Sequence, residues 1–431
     1  MSQQSRTTRR TFLKSAAAAG AAAAFPAIVP SSVLASAGNN APSNRITLGL
    51  IGAGGRGVGV MRSFMGRGDV QMLAICDVDR AHLDPVVDAV NARQNSSDCA
   101  AYTDFREVTR RDDIDAVLIG TPDHWHVVQA LDAVRNGQDV FVEKPMAYSI
   151  YEGRVLSDAV AQEGRILQTG SQQRSDARFR QACELVRNGR IGRLHTINAG
   201  IPGNNRTCEP TWEPQPVPEG FDYDMWLGPA PWAEYHEQRC HYTFRFILDY
   251  SGGQVTNFGA HNLDIAQWAI GMDDSGPIEI SGNGEFLPSG LFTTATKVYF
   301  ECVYENGVRL TCRTGRFGTY FEGSEGSIYV DRGQIRATPE SILDEPLGEG
   351  DIRLYESNDH VGNFVDCMRT REQPICDAEV GHRSSTICNL GNIAMLLGAN
   401  RLRWDPQKEE FPDSAEANAL VRPSMREPWT V

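Results

Sequence analysis

A glycine-rich turn between two apolar segments constrains the fold of this chain more than any other feature. Residues 45–51 (RITLGLI) are predicted to form a buried strand, and Gly52-Ala53-Gly54-Gly55-Arg56-Gly57 follows them. A second apolar segment over 70–76 ends at Asp77. Glycines at such a turn let the backbone approach a phosphate, and the start of the next helix offers free N–H groups and a positive dipole end. This order of strand, turn, helix, strand and acid predicts a dinucleotide-binding Rossmann domain.

Asp77 decides which dinucleotide we expect. A carboxylate at this position accepts hydrogen bonds from the adenosine ribose and repels the extra 2′-phosphate of NADP. NADP stays open as an alternative to NAD because Arg80 lies nearby in the sequence. The cofactor contacts predicted from this region are Gly52, Gly54, Gly55, Arg56, Gly57 and Asp77.

Strands and helices continue to alternate after Asp77. Apolar strands are predicted at 115–120, 139–142 and 166–170, and helices at 126–136 and 151–163. This alternation is typical of a doubly wound parallel sheet, whose ligands gather at the carboxyl ends of the strands. Thr121 and Lys144 lie directly after two of these strands. We therefore predict a nucleotide-binding domain over 45–170.

The second half has a different pattern. Residues 296–313 alternate between apolar and polar side chains, and Asn306-Gly307 in their middle predicts a hairpin turn. A segment over 222–250 is rich in aromatic residues, whose faces bind sugars well. We predict an α+β domain with a large, mainly antiparallel open sheet over 171–405, followed by a C-terminal tail over 406–431.

The N-terminus carries a targeting segment. Residues 8–14 read Thr-Arg-Arg-Thr-Phe-Leu-Lys, an alanine-rich stretch follows, and Ala35-Ser36-Ala37 fits a cleavage site. The pattern predicts a twin-arginine signal peptide over 1–37, a linker over 38–44 and export to the periplasm or beyond. The apolar stretch is too short for a membrane span.

Charge and metal-ligand spacing exclude other classes of function. The 431-residue chain has a formal net charge of -14, which argues against nucleic acid as a partner. His124-Trp125-His126 has a spacing seen in metal sites, but no further ligands follow at telling positions. We therefore predict no metal site.

Four motifs together resemble the glucose–fructose oxidoreductase/inositol dehydrogenase (Gfo/Idh/MocA) family. They are the glycine turn, the Thr121–His126 loop of Thr-Pro-x-x-x-His type, Glu143-Lys144-Pro145, and Gly259-Ala260-His261-Asn262-Leu263-Asp264. The resemblance implies an NAD-dependent enzyme acting on sugar-like alcohols, and a homo-oligomer, either dimer or tetramer, that forms through the open sheet.

The resemblance also implies the catalytic residues. It places Lys144 beside the nicotinamide and the substrate hydroxyl, where an ammonium polarises the reacting oxygen. His261 matches the proton-handling histidine of the family, but Asn257 stands where the family has an aspartate. We expect Asn257 to orient the His261 ring without raising its pKa.

The remaining predicted contacts lie in the same motifs and in the second half. Further cofactor contacts are expected at Thr121, Pro122, His126, Glu143, Lys144 and Gln173. Substrate contacts are expected at Arg174, His241, Arg245 and Asp264.

The sequence thus predicts an exported oxidoreductase that transfers hydride between NAD and a hydroxyl or keto carbon of a sugar, a cyclitol or a sugar derivative. Two alternatives use the same residues. One is an NAD-dependent glycosidase that oxidises the sugar transiently and eliminates the glycosidic bond. The other is a non-catalytic protein that binds a nucleotide or a sugar.

Overall fold

A computed structural model describes residues 44–431 of the chain. The predicted signal peptide over 1–37, and the predicted linker except for residue 44, therefore lie outside the described residues.

The first sheet forms where apolar strands alternate with helices. Its strands are β1 (Ile46–Ile51), β2 (Val70–Cys76), β3 (Ala100–Tyr102), β4 (Ala116–Ile119), β5 (Asp139–Val142) and β6 (Leu167–Thr169). They are parallel and lie in the order β3-β2-β1-β4-β5-β6. The order reverses direction between β1 and β4, so a ligand crevice is expected at their carboxyl ends.

Helices cover both faces of this sheet. They are α1 (Gly55–Phe64), α2 (Arg80–Gln94), α3 (Phe105–Thr109), α4 (His126–Arg135) and α5 (Ile150–Glu163). The turn between β1 and α1 needs glycine at two places. Gly52 has a φ of 93°, and a Cβ on Gly57 would lie 2.0 Å from the Gly52 carbonyl oxygen. These glycines let α1 start directly against the sheet.

The second half is built around an eight-stranded sheet. Its strands are β7 (Leu194–Ile201), β8 (Glu279–Gly282), β9 (Tyr299–Val303), β10 (Arg309–Thr314), β11 (Gly318–Gly323), β12 (Ser327–Val330), β13 (Ile335–Thr338) and β14 (Leu402–Arg403). They lie in the order β13-β12-β11-β7-β10-β9-β8-β14, and only the β7–β10 pair is parallel. The predicted class, a Rossmann-type sheet with a large and mainly antiparallel second sheet, is confirmed.

The predicted hairpin is the β9–β10 pair. Its turn contains Gly307 with a φ of 83°, and the apolar positions of both strands lie in the core. The polar positions, among them Glu301 and Arg309, face the opposite side. The alternation in the sequence therefore identified both the strands and their buried face.

The α-helices of the second half are α6 (Ala177–Arg187), α7 (Tyr223–Leu227), α8 (Ala260–Ile270), α9 (His360–Thr370), α10 (Ala378–Leu396) and α11 (Ala415–Val421). Of these, α6, α8 and α10 pack on the second sheet. Phe364 of α9 belongs to the same apolar core as Leu48 and Leu118 of the nucleotide-binding sheet. The packing therefore crosses the predicted domain boundary at 170, because a later helix covers a face of the first sheet.

The C-terminal tail also returns to the nucleotide-binding half. The Trp429 ring lies 4.7 Å from the Trp125 ring, and Arg426 pairs with Asp224. The segment predicted as a tail over 406–431 thus packs against the loop that follows β4.

Candidate functional site

A cavity of about 590 Å³ opens at the point where the strand order of the first sheet reverses. It runs from the end of β2 past the glycine turn to the loop after β4, and residues 225–226 and 241–245 cover it from the second half. A crevice of this size with a few polar groups suits a dinucleotide.

The glycine turn fits a pyrophosphate. An added Cβ on Gly54 or Gly55 would meet no atom within 4 Å, so the backbone is open toward the cavity that both residues line. No side chain caps the N-terminus of α1. Its first N–H groups are therefore available to an anion.

Asp77 is placed to bind the ribose. Its Oδ2 accepts a hydrogen bond from the Ala53 N–H (2.7 Å), and its Oδ1 accepts one from the Asp79 N–H (2.9 Å). These bonds fix the carboxylate at the cavity wall between β2 and the glycine turn. Each oxygen keeps a lone pair that can accept a ribose hydroxyl.

The loop after β4 contributes Thr121 and Pro122 to the cavity wall. His126, a predicted cofactor contact, lies behind that wall. Its Nδ1 is 2.7 Å from the Pro145 carbonyl oxygen, and its Nε2 is 2.9 Å from that of Thr121. The ring therefore joins this loop to the loop after β5 and has no nitrogen left for a metal.

His124 contacts the segment that covers the cavity, but its buried Nδ1 has no hydrogen-bond partner among the residues that the structure describes. Its Nε2 is 3.2 Å from the Trp226 carbonyl oxygen, and its ring lies 5.1 Å from that of Tyr250. Three of the four ring nitrogens of His124 and His126 thus lie at backbone carbonyl oxygens of neighbouring loops.

Lys144 follows β5 and reaches the second half. Its ammonium donates to the Asn257 carbonyl oxygen (2.7 Å) and to the Asn257 Oδ1 (3.2 Å). Burial lowers the pKa of Lys144 to about 8, and the carboxylates of Glu143 and Asp123 oppose this shift. One of its three N–H donors remains for a substrate oxygen.

Asn257 has a different role from the one predicted. It lies in a π-helical turn, Val255–Gly259, directly before α8. Its Oδ1 accepts from Lys144, and its Nδ2 donates to Gln254 Oε1 (3.0 Å). The prediction that Asn257 orients the His261 ring is therefore wrong, because both ends of its amide hold other side chains.

His261 lies in the first turn of α8 and is buried. Its Nδ1 has no hydrogen-bond partner among residues 44–431. Burial lowers the pKa of His261 well below its usual range, and the charge of Lys144 adds to this effect. The ring is therefore neutral near pH 7, and a neutral imidazole with a free nitrogen can accept a proton.

Three predicted cofactor contacts, Arg56, Glu143 and Gln173, connect to the segments that carry Lys144 and His261. The Arg56 guanidinium, half-exposed at the cavity, lies 2.6 Å from Glu143 Oε1 and links the glycine turn to the loop that carries Lys144. Gln173 is buried, and its Nε2 lies 3.4 Å from the His261 carbonyl oxygen. Neither Glu143 nor Gln173 lines the cavity. It is also not lined by the predicted catalytic residues, Lys144, Asn257 and His261.

Arg174 and Asp264 were predicted to bind substrate, and in this structure they bind each other. The Arg174 Nε lies 2.9 Å from both carboxylate oxygens of Asp264, and its Nη2 lies 2.7 Å from Asp273. Ser384 also donates to Asp264 (2.7 Å), and the Arg174–Asp264 pair is 1% and 0% exposed. These groups already satisfy one another inside the protein, so no donor is directed at a ligand.

His241 and Arg245, the other predicted substrate contacts, line the cavity. His241 lies at its adenosine end, where Nε2 is 3.3 Å from Asp79 Oδ2. The Arg245 guanidinium stacks on Tyr242, 4.0 Å from the ring centroid, and its charge acts on both Lys144 and Asp123. Arg245 thus acts electrostatically on Lys144 and Asp123. His241 pairs with Asp79 instead.

Asp123 is a candidate site residue that the sequence reasoning did not select. It is buried, its Oδ2 accepts from Ser251 Oγ (2.6 Å), and its charge acts on Lys144. The motif that contains it was identified, but its charge acts on Lys144 only after two separate strand ends come together.

Family comparisons match most of the chain. Residues 46–171 match a model described as oxidoreductase family, NAD-binding Rossmann fold, and residues 205–431 match the C-terminal alpha/beta domain of the same Gfo/Idh/MocA oxidoreductases. The predicted NAD-binding domain is therefore confirmed.

Residues 6–26 match the twin-arginine translocation signal, which confirms the predicted export route. A search of residues 44–431 found no helix with the length and apolarity needed to cross a membrane.

Curated relatives match a limited segment. A glycosyl hydrolase family 109 protein of Shewanella baltica is 35% identical over 160 residues, and an alpha-N-acetylgalactosaminidase of Shewanella oneidensis is 36% identical over 160 residues. Each match covers 33% of this chain and 35% of the relative. The aligned segment thus spans about a third of these proteins.

Solved structures share the fold at low identity. The WlbA dehydrogenase of Bordetella pertussis, crystallised with NADH and UDP-GlcNAcA, has a TM-score of 0.60 at 17% identity over 84% of this chain and 99% of its own. The aldose-aldose oxidoreductase of Caulobacter crescentus has a TM-score of 0.62 at 17% identity over 83% and 99%.

Proposed function

The chain belongs to the Gfo/Idh/MocA oxidoreductase family, and on that premise we propose that it transfers hydride between NAD(H) and a hydroxyl or keto carbon of a sugar, a cyclitol or a sugar derivative. The observation that carries this proposal is that Lys144 of the first half donates to Asn257 of the second, and that its charge acts on the buried His261 four residues further along. An ammonium and a neutral imidazole are the groups that alcohol oxidation requires. Lys144 and His261 do not line the cavity themselves, but Arg56 lines it and pairs with Glu143, the neighbour of Lys144.

Lys144 and His261 have complementary roles in this proposal. Lys144 donates its remaining N–H to the substrate oxygen and stabilises the negative charge that develops there. The free Nδ1 of His261 accepts the hydroxyl proton in oxidation and returns it in reduction. Bound NAD supplies the hydride acceptor. Asn257 holds the Lys144 ammonium in place through two hydrogen bonds.

The test is NADH formation by the purified protein with glucose, N-acetylgalactosamine, UDP-N-acetylglucosaminuronate and myo-inositol as probes. We expect at least one of these polyols to reduce NAD, and Lys144→Ala to lower the turnover number about 100-fold while NAD binding persists. If Lys144→Ala keeps wild-type turnover, hydride transfer is not assisted by this lysine and the proposed mechanism fails.

A transient-oxidation glycosidase is the second candidate, and the glycosyl hydrolase family 109 relatives favour it. In that reaction oxidation acidifies a neighbouring C–H, elimination breaks the glycosidic bond, water adds, and the hydride returns. Release of p-nitrophenol from an α-N-acetylgalactosaminide without net NADH formation would support it. Net NADH formation with a free sugar would favour the dehydrogenase.

We also propose that the chain is a homo-oligomer, a dimer or a tetramer, through the open face of the eight-stranded sheet. Tyr299 and Tyr320 are large apolar side chains that are 47% and 37% exposed on this sheet. Light scattering on the purified protein tests this, and a monomer at micromolar concentration would contradict it.

A further inference from the structure

We propose that Asp79, His82 and His241 form a binding site for one divalent transition-metal cation at the adenosine end of the cavity. One carboxylate and two imidazoles approach each other here, and ligand atoms of all three lie within 4.8 Å of one another. This inference is independent of the hydride transfer proposed above, because it concerns residues that do not contact Lys144 or His261.

The distances suit a metal of the zinc type. Asp79 Oδ2 and His241 Nε2 are 3.3 Å apart, and the His82 and His241 ring centroids are 4.5 Å apart. Ligands around a tetrahedral cation with bonds of roughly 2.0–2.1 Å lie about 3.3 Å from each other. Two histidines and one carboxylate are a donor set that zinc and its neighbours accept.

The carboxylate is held in place by the start of a helix. Asp79 precedes α2, and its Oδ1 accepts a hydrogen bond from the Ala81 N–H (2.9 Å). Its Oδ2 is the oxygen that faces His241. Because one oxygen caps the helix, the other is directed at the same point in the absence of any ion.

The distant histidine is also held in place. His241 adopts a φ of 51°, a backbone conformation that histidine seldom takes, and its ring stacks on Phe221 at 5.5 Å. Phe221 pairs with Asp79 through a β-bridge, so the segment that supports His241 is joined to the segment that carries the other two ligands. Strained backbone held by its surroundings is common at ligand sites.

The site lies at the cavity. His82 and His241 both line it, as does Asp77, whose carboxylate is placed for the ribose. Three protein ligands leave a tetrahedral cation one open position. We expect the cation and NAD to change each other's affinity, and any such change is by the same factor in both directions.

The sequence predicted no metal site, because histidine spacing reveals only ligands that are close in the chain. Asp79 and His82 are neighbours at the start of α2, whereas His241 comes from the segment that covers the cavity. The only group of three metal-capable side chains found in the described part of the chain is this one.

The experiment is titration of the chelator-stripped, mature protein with Zn²⁺ by calorimetry. We expect one equivalent to bind, and His82→Ala and His241→Asn each to weaken binding at least about tenfold. Asparagine is chosen at 241 because it tolerates a positive φ, so the backbone is kept while the imidazole is removed. His195→Ala, which changes an exposed histidine on β7, is the matched control.

Absence of Zn²⁺ binding to the wild-type protein would overturn the proposal, as would equal affinity in wild type and His241→Asn. A second titration in the presence of saturating NAD tests the orientation of the site. We expect the Zn²⁺ affinity to change several-fold. An unchanged affinity would show that the ion does not face the cofactor cavity.

Discussion

Helix α8 carries two buried polar clusters that lie one helical turn apart and differ in how completely their hydrogen bonds are satisfied. Asp264 accepts from Arg174 and Ser384, and both partners are buried with it. His261 leaves its buried Nδ1 without a partner, and the charge of Lys144 helps to lower its pKa. A satisfied buried cluster serves the fold, whereas a buried polar atom without a partner calls for a functional explanation.

The largest expected effect is a loss of stability when the Arg174–Asp264 cluster is broken. Arg174→Ala leaves the Asp264 carboxylate buried with no positive partner, so the free energy of unfolding should fall by about 3–5 kcal/mol. Urea denaturation of the variant and the wild type measures this. Arg309→Ala removes an exposed pair with Glu301 and should cost less than about 1 kcal/mol.

If Arg174→Ala unfolds like the wild type but raises KM for the sugar, Arg174 contacts substrate after all. The two clusters would then not differ in role.

Removing His261 should affect catalysis instead of the free energy of unfolding. His261→Ala deletes the proton acceptor, so turnover should fall about 100-fold while the affinity for NAD stays near that of the wild type. Steady-state kinetics and calorimetry measure the two quantities. The exposed His195→Ala variant should change neither.

Near-normal turnover in His261→Ala would place the proton acceptor elsewhere. Asp123 would then be the first residue to test, because its carboxylate is buried and its charge acts on Lys144.

The pH dependence sharpens the contrast between the two reacting groups. His261 stays neutral well below pH 6.5, so it should not limit the rate near neutrality. Lys144 has a pKa of about 8 and loses the charge that polarises the substrate above that value. Turnover should therefore be level near pH 7 and decline as the pH rises through about 8.

Asn257→Asp tests this assignment. A carboxylate that accepts from Lys144 raises the pKa of the ammonium, so the decline should move to higher pH. A decline that stays at about pH 8 in the variant would mean that another group controls the alkaline limb.

The smallest expected effect is on cofactor preference and concerns Asp77, whose hydrogen-bonding capacity is only partly used within the protein. Its oxygens accept two backbone N–H groups but still face the cavity. NAD(H) should bind at least tenfold more tightly than NADP(H), which corresponds to about 1.4 kcal/mol. Calorimetry with both cofactors decides this, and equal affinities would show that Asp77 does not select against the 2′-phosphate.

Local patterns accounted for much of the fold, but not for all of it. The predicted strand over 70–76 coincides with β2, and the alternation over 296–313 identified the β9–β10 hairpin. Helix α2 was not predicted, because Leu83 and Val90 are its only fully buried residues and give little apolar periodicity.

The sequence by itself determined the features that depend on neighbours in the chain. The glycines of the turn after β1, the acid at the end of β2, the hairpin at Asn306-Gly307 and the twin-arginine segment each act over a few residues. The physical constraint is local in each case, either a φ angle, a close backbone approach or a side-chain alternation. These features were therefore visible without the fold.

Only the tertiary structure decided what each polar residue contacts. Arg174 and Asp264 satisfy each other, Asn257 holds Lys144 instead of His261, and His241 meets Asp79 at the other end of the cavity. These partners come from segments that are far apart in the sequence. A buried polar group keeps a stable position by finding its hydrogen-bond partners, and folding alone determines which distant groups those are.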